Sequence, residues 1–227
     1  RIATQSAALG MSCYLVGGFV RDVLLGKPVN DFDFVVEGDA IKLGRNLVKK
    51  LGGKLTTHPK FRTATWFVNE IEFLDLITAR SESYEYPGAL PTVKPSTIAD
   101  DLRRRDFTGN AMAVRLDGDH FGELLDPLGG QSDLENGLIR ILHHHSFVDD
   151  PTRMLRAVRY QKRYGFQIEP ETLNLFNDKA RAVLSKLSGE RLRHEFDLMF
   201  DEENVSSILV RVAGLGLLTP IHSALAW

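Results

Sequence analysis

YLVGGFVRDVLLGKPVNDFDFVV, residues 14 to 36, is the stretch on which the fold turns. It reads as a strand, a Gly-Gly turn at Gly17 and Gly18, a short helix over Phe19 to Leu25, a loop, and a second strand. Gly26 stops the helix and Pro28 blocks its continuation. The second strand carries Asp31 and Asp33. Strand side chains at i and i+2 share a face, so these two carboxylates lie together while Phe32 and Phe34 point the other way.

Two adjacent carboxylates repel unless a cation lies between them, and hard oxygen donors of this kind suit Mg²⁺ bridged to phosphate. Backbone N–H groups at a strand-to-helix turn such as Gly17-Gly18 can cradle phosphate oxygens. The two halves together imply one nucleoside triphosphate. Taken singly, a D-x-D is also a common strand-edge pair and Gly-Gly a common turn. Their combination within one short segment points to the chemistry.

The 227 residues suffice for one large domain or two small ones, and 43% hydrophobic with 26% charged residues is an ordinary globular balance. No apolar run approaches the roughly 20 residues that span a bilayer, and RIATQSAALG has no signal-peptide core. The single cysteine, Cys13, excludes an intramolecular disulfide, fits a reducing cytoplasm and reads as a small buried hydrophobe. With a net charge of −2, any RNA contact must come from local basic patches. Beginning at Arg1 and ending just past an apolar segment, the chain is expected to be a piece of a longer protein.

Along the chain, residues 1 to 11 read as a short amphipathic helix before a strand over Ser12 to Val16. Ala40 to Leu51 has helical apolar spacing and ends at Gly52-Gly53. Lys54 to Thr57, Thr63 to Val68 and Ile71 to Ile77 read as strands. The last carries Glu72 and Asp75, either of which could complete a three-carboxylate site. Ser81 to Ser96 reads as a loop. In Ile98 to Val114 the spacing of Leu102, Phe107, Ala111 and Val114 predicts a helical stripe beside Arg103, Arg104, Arg105 and Asp106. Residues 123 to 142 read as strand, turn and strand. The run His143-His144-His145 alternates direction and reads as a solvated linker rather than a metal ligand set. Residues 149 to 200 read as all helical, with Arg156, Arg159 and Arg163 on one face of Pro151 to Phe166. Ser206 to Leu218 is a last apolar helix.

The order GG-x-x-R-D-x-x-L-G, then D-x-D, then RRDFT-x-N-A, then DDPTRMLRAVRY, resembles the class II nucleotidyltransferases: tRNA nucleotidyltransferases (CCA-adding enzymes) and bacterial poly(A) polymerases. The resemblance covers roughly residues 12 to 200. It implies an α+β head with a small palm-like sheet and flanking helices over 1–142, followed by an all-helical neck over 143–227. It implies transfer of CMP or AMP from CTP or ATP to the 3′ end of tRNA or another RNA. Two Mg²⁺ ions would be held by Asp31 and Asp33. Between Glu72 and Asp75 it selects Asp75 as the third acid, from its place just before Thr78-Ala79-Arg80. It implies nucleotide binding by Gly17, Gly18, Arg21, Asp22, Arg105, Asp106 and Asn110, and base pairing by Asp150 and Arg153. Arg156 and Arg159, on the basic face, join that set. Asp126-Pro127, Gly129-Gly130 and Asp133-Leu134 match a structural junction, and SGERLRHEFDLMF (188 to 200) a core-packing helix. Poly(A) polymerases of this family are more basic, so the acidic balance favours tRNA maturation. A non-catalytic RNA-binding relic is the alternative from outside enzymology.

Overall fold

The computed structural model describes residues 1–29, 32–69 and 72–225. Its contacts divide the chain into two compact units, one of residues 1–83 with 93–131 and one of residues 84–92 with 132–227.

The first unit is built on a seven-stranded sheet. Its strands are β1 (Cys13–Val16), β2 (Asp33–Val36), β3 (Lys54–His58), β4 (Thr63–Phe67), β5 (Phe73–Thr78), β8 (Ala113–Arg115) and β9 (Leu124–Leu125), in the order β3-β4-β5-β2-β1-β8-β9. All four residues of β1 are buried, as an interior strand requires. The β2–β5 pair is parallel and its neighbours are antiparallel. At one edge, β3 carries Lys54 and leaves alternate residues exposed, which discourages further strand pairing.

Alternation along the strands sorts two apolar layers. Cys13, Leu15, Phe34, Val36, Ala64, Trp66 and Leu76 pack with Leu43 and Leu47 of α3 (Ala40–Leu51) and Ile2 of α1 (Ile2–Ala8). Tyr14, Val16, Val35, Ala79 and Ala113 pack on the other face with Ile98 and Leu102 of α4 (Ile98–Arg103). Asp39 caps α3 by accepting from the Lys42 N–H, and Gly52 ends it at φ +82°. The helix after the glycine turn, α2, spans Gly18–Leu24. Cys13 is fully buried, and that burial, with Asp117 nearby, pushes its thiol up to about 12, so it is an inert core residue.

Several stretches differ from the sequence reading, among them 149–200, where the two-residue strand Gln167–Ile168 interrupts the expected run of helices. Within the expected loop 81–96, β6 (Arg80–Ser83) and β7 (Thr92–Pro95) pair as a two-stranded sheet. Strands of four residues beside prolines are too short to show an alternating pattern. The expected helical stripe to Val114 ends early: α4 stops at Arg103, a 3₁₀ turn covers Thr108–Asn110, and β8 begins at Ala113. Asp106 diverts the backbone by accepting from the Phe107 N–H through Oδ1. β1, meanwhile, takes β8 as its second neighbour. Between β9 and the next strand lies a short helix, α5 (Gly130–Glu135), rather than a simple turn. Asp126 caps it, accepting from the N–H groups of Gly130 at 2.6 Å and Gln131 at 2.9 Å.

The second unit is mainly helical. It contains β10 (Leu138–Ile139) paired in parallel with β11 (Gln167–Ile168), and the helices α6 (Ser146–Asp149), α7 (Thr152–Tyr164), α8 (Pro170–Asn174), α9 (Asp178–Leu184), α10 (Gly189–Phe200) and α11 (Val205–Gly214). Met154, Leu155, Ala157 and Val158 bury one side of α7, and Gly165 ends it at φ +71°. No helix among the described residues is long and apolar enough to cross a membrane.

Candidate active site

β1 runs out at Val16 directly into Gly17, which adopts φ +65°, a conformation that L side chains rarely take. The Gly17 N–H donates to the Met112 carbonyl at 3.1 Å, which ties the turn to the start of β8. A Cβ added at Gly17 would lie 2.6 Å from Arg105 Nη1. The glycine therefore lets a guanidinium lie against the backbone of the turn.

Arg105 is fixed from below by Asp101, whose Oδ2 accepts from Nη2 at 2.9 Å. Asp101 has no exposed surface; its Oδ1 also accepts from Arg104 Nε at 2.9 Å and from the Arg80 N–H at 3.3 Å. Burial works to raise the Asp101 pKa, but the guanidinium groups of Arg105 and Arg104 outweigh it and hold the carboxyl below its ordinary range. Arg104 continues to Glu82, at 3.0 Å. Among the described residues Asp101 is the one hydrogen-bond partner of the Arg105 guanidinium, and Arg105 Nε is buried with none. Nη1 of this cation faces the glycine turn.

On the other side of the turn, Arg21 is buried and its Nη2 lies 3.4 Å from where a Gly18 Cβ would stand. Asp22 chelates it through Nε and Nη2, both at 2.8 Å. Its Nη1 donates to Asn110 Oδ1 at 2.7 Å, and Asn110 Nδ2 donates to Asp106 Oδ1 at 2.9 Å. The predicted residues Arg21, Asp22, Asp106 and Asn110 thus form one connected network, although the sequence separates the ends by many residues.

The carboxylates come together on the sheet. Asp33 opens β2 beside the end of β1, and Asp75 lies directly opposite it on parallel β5. Both stand on the face that α4 covers farther along the strands, opposite the layer of Phe34 and Leu76. Thr65 of β4 donates through Oγ1 to Asp75 Oδ1 at 2.7 Å, which orients that carboxylate. Glu72, the alternative third acid, is exposed and closes a turn with Asn69. Asp31 lies outside the described residues. No group of three His, Cys, Asp or Glu among the described residues is placed to hold a metal. The in-register pair Asp33 and Asp75 offers oxygen donors of the kind that suit a hard divalent cation.

The remaining candidates belong to the second unit. Asp150 ends α6, and its Oδ1 accepts from the Thr152 N–H at 3.1 Å, Thr152 Oγ1 at 2.6 Å and Arg191 Nη2 at 2.8 Å. Arg153 is buried and donates through Nη1 to Ser146 Oγ at 2.7 Å. Arg159 is buried between Glu195 and Glu202, at 3.7 and 3.6 Å, and Arg156 also faces Glu195, at 3.6 Å. Arg163 pairs with Glu202. The basic face of α7 is thus met by acids of α10 and the turn after it.

The sequence reading does not reach several residues of these networks: Asp101, Glu82 and Thr65 in the first unit, and Ser146, Thr152, Arg191, Glu195 and Glu202 in the second. Asp101 and Glu195 carried one available signal, a helical spacing of three to four residues from an arginine, or an acid on the facing helix. Nothing in the local pattern marked Arg191 or Thr65.

Comparison with known proteins now decides the family. A model described as the poly(A) polymerase head domain matches residues 13–140, and one described as the probable RNA and SrmB-binding site of polymerase A matches residues 165–227. The chain belongs to the class II nucleotidyltransferase family. It is 46% identical over 95% of its length to an A-adding tRNA nucleotidyltransferase of Halalkalibacterium halodurans, of which it covers 51%. It is 43% identical over 70% of its length to a CC-adding tRNA nucleotidyltransferase of Deinococcus radiodurans, of which it covers 42%. A solved CCA-adding enzyme in an apo form superimposes with a TM-score of 0.91 at 44% identity, over 96% of this chain and 52% of that one. The chain spans about half the length, or less, of these relatives. The mixed α/β sheet with flanking helices and the helical C-terminal region are those of the CCA-adding enzyme structures. Enzymes of this family generally depend on a divalent metal.

Proposed function

We propose that this nucleotidyltransferase chain carries the catalytic centre for adding nucleotides to the 3′ end of tRNA without a nucleic-acid template, with AMP as the nucleotide transferred. The observation that carries the reading is the register of Asp33 opposite Asp75 on neighbouring strands, beside a glycine turn flanked by Arg105 and Arg21. A-addition is favoured because relatives from Halalkalibacterium halodurans, Geobacter sulfurreducens and Aquifex aeolicus, at 46%, 44% and 40% identity, are A-adding enzymes.

In this reading the Gly17-Gly18 turn and the guanidinium groups of Arg105 and Arg21 bind the triphosphate, with Asp22, Asn110 and Asp106 holding Arg21 in place. The RNA 3′ oxygen attacks the α-phosphorus in line, and pyrophosphate leaves. Asp31 and Asp33 are the proposed ligands of two Mg²⁺ ions, with Asp75 opposite Asp33 assisting; bound there, the ions would activate the 3′ oxygen and neutralise the leaving pyrophosphate. The arginines add to that neutralisation, and positioning rather than covalent chemistry supplies most of the acceleration. Asp150 and Arg153 read the base.

The test offers the protein carrying this chain three tRNAs, ending at the discriminator base, at C and at CC, each with ATP or CTP alone. One AMP added to the tRNA ending in CC, dependent on Mg²⁺ and lost in Asp33→Ala, is the expected result. Addition of CMP alone moves the reading to CC-addition, and long A tails move it to poly(A) polymerase. Activity retained in Asp33→Ala removes the centre from this sheet.

A further inference from the structure

All three donors to the Asp150 carboxylate converge on Oδ1: the Thr152 N–H, the Thr152 hydroxyl and Arg191 Nη2. Asp150 Oδ2 takes no hydrogen bond from a described residue, and it is not among the buried polar atoms left unpaired, so it reaches solvent. A carboxylate on a surface turn normally rotates and exchanges its oxygens. Here one oxygen is saturated and the other is presented outward in a fixed plane, an acceptor without a donor.

Arg191 is itself held at both ends. Its Nη2 meets Asp150, and its Nη1 donates to the Gly88 carbonyl at 2.6 Å. Gly88 is anchored by donating its N–H to the Val148 carbonyl at 3.1 Å and by a positive φ of +76° packed on Val183. The planar fork of Arg191 thus has two acceptors in set directions, and a lysine could satisfy one but not both. Thr152 is buried at the start of α7, and its hydroxyl donates to Asp150 Oδ1 at 2.6 Å.

We infer that Arg191 and Thr152 are positioning residues for base selection, fixing Asp150 so that Oδ2 stands as the single open acceptor for the exocyclic amino group of an incoming cytosine or adenine. This rests on the reading of Asp150 as the base-reading acid. Cytosine and adenine offer an amino donor to such an oxygen; uracil and guanine offer a carbonyl there, which leaves two acceptors facing each other. Discrimination by a site of this kind depends on the wrong base leaving its polar groups unpaired. A carboxylate free to turn can move its charge away from the wrong carbonyl, so the penalty against uracil and guanine shrinks even though the acid is still present.

The experiment measures kcat/KM for ATP, CTP, UTP and GTP on one tRNA acceptor, with the KM for that acceptor, for the parent protein and for Thr152→Val, Thr152→Ser, Arg191→Lys and Asp150→Ala. Thr152→Val keeps the shape and loses the hydroxyl, and Arg191→Lys keeps the charge and loses the fork. Each is expected to reduce preference for the correct nucleotide over UTP and GTP about tenfold or more, with the acceptor KM unchanged. Thr152→Ser, which keeps the hydroxyl, is expected to retain the parent preference. Thr152→Val and Arg191→Lys within twofold of the parent, while Asp150→Ala loses its preference, would overturn the positioning role and leave Asp150 as the reader. Unaltered preference in Asp150→Ala overturns both. Should Thr152→Val fail to fold, Arg191→Lys decides alone.

Discussion

Replacing Asp101 by Asn tests whether one buried acid holds the arginine side of the site. Its Oδ1 accepts from Arg104 and from the Arg80 backbone, its Oδ2 from Arg105, and no part of it is exposed. Asparagine keeps the shape and one acceptor oxygen but places an amide donor against a guanidinium. Arg104 and Arg105 keep 16% and 13% of their side-chain exposure, so water compensates a little. Removing one partner of a buried ion pair costs about 3 to 5 kcal/mol, and the lower end of that range is expected here. Urea unfolding at neutral pH reads it directly.

The pH dependence separates charge from packing. The Asp101 carboxyl is held below its ordinary value in the folded protein, so its contribution is fully present above the ordinary carboxylate pKa, about 3.9, and is lost as pH falls through the folded value. Stability of the parent should therefore fall across the acid range below about pH 4 more steeply than that of Asp101→Asn, and the two curves should converge there. The same substitution frees Arg105 from its anchor, so nucleotide KM should rise while the KM for tRNA stays near the parent value. Parallel pH curves for parent and variant, or a nucleotide KM equal to the parent's, would refute the argument that charge on Asp101 positions Arg105.

Three further expectations follow from the same geometry. Asp33→Ala and Asp75→Ala should each abolish nucleotide incorporation while leaving the urea midpoint unchanged or raised, since each removes one of two facing carboxylates; a lowered midpoint would make the pair structural. Gly17→Ala should weaken nucleotide binding and cost about 1 to 2 kcal/mol, from its φ of +65° and the clash with Arg105 Nη1; calorimetric titration with ATP that matches the parent would place the triphosphate elsewhere. Arg105→Ala should raise the nucleotide KM far more than the RNA KM, and steady-state kinetics with each substrate varied in turn will separate the two.

The sequence made legible whatever local rules control. Gly52 and Asp39 mark the ends of α3, and the apolar spacing between them gives its buried face. Strand alternation sends Phe34 and Val35 to opposite layers of the sheet, as the pattern of that stretch implies, while Asp31 lies outside the described residues. The stretch from Ile98 was misread as one helix because Leu102, Phe107 and Ala111 are all buried at roughly helical spacing. Their burial has separate causes. Leu102 lies on the buried face of α4, while Phe107 and Ala111 flank a 3₁₀ turn that delivers the chain to β1's open side. A helical period cannot register the requirement of a distant strand for a partner.

The acids that hold the arginines were invisible for a related reason. A charge run such as Arg103-Arg104-Arg105 reads as a solvated face because exposed charges need no explanation. Arg103 behaves that way, at 64% side-chain exposure and 3.6 Å from Asp100. Arg104 and Arg105 do not, because Asp101 one helical turn earlier is turned inward and supplies both with a buried counter-charge. The same logic operates on α7, where Arg159 is buried only because α10 and the turn after it bring Glu195 and Glu202 to it. Burial raises the pKa of Glu195, and Arg156 and Arg159 only partly offset the effect. Asp101 and Glu195 thus differ in outcome although each faces two arginines. Asp101 receives hydrogen-bonded guanidinium contacts at about 2.9 Å that hold its carboxyl below the ordinary range, whereas Glu195 has ion pairs at 3.6 and 3.7 Å and an Oε2 without a hydrogen bond. Contact distance, which only the folded chain sets, decides in which direction the pKa of a buried acid between two arginines moves.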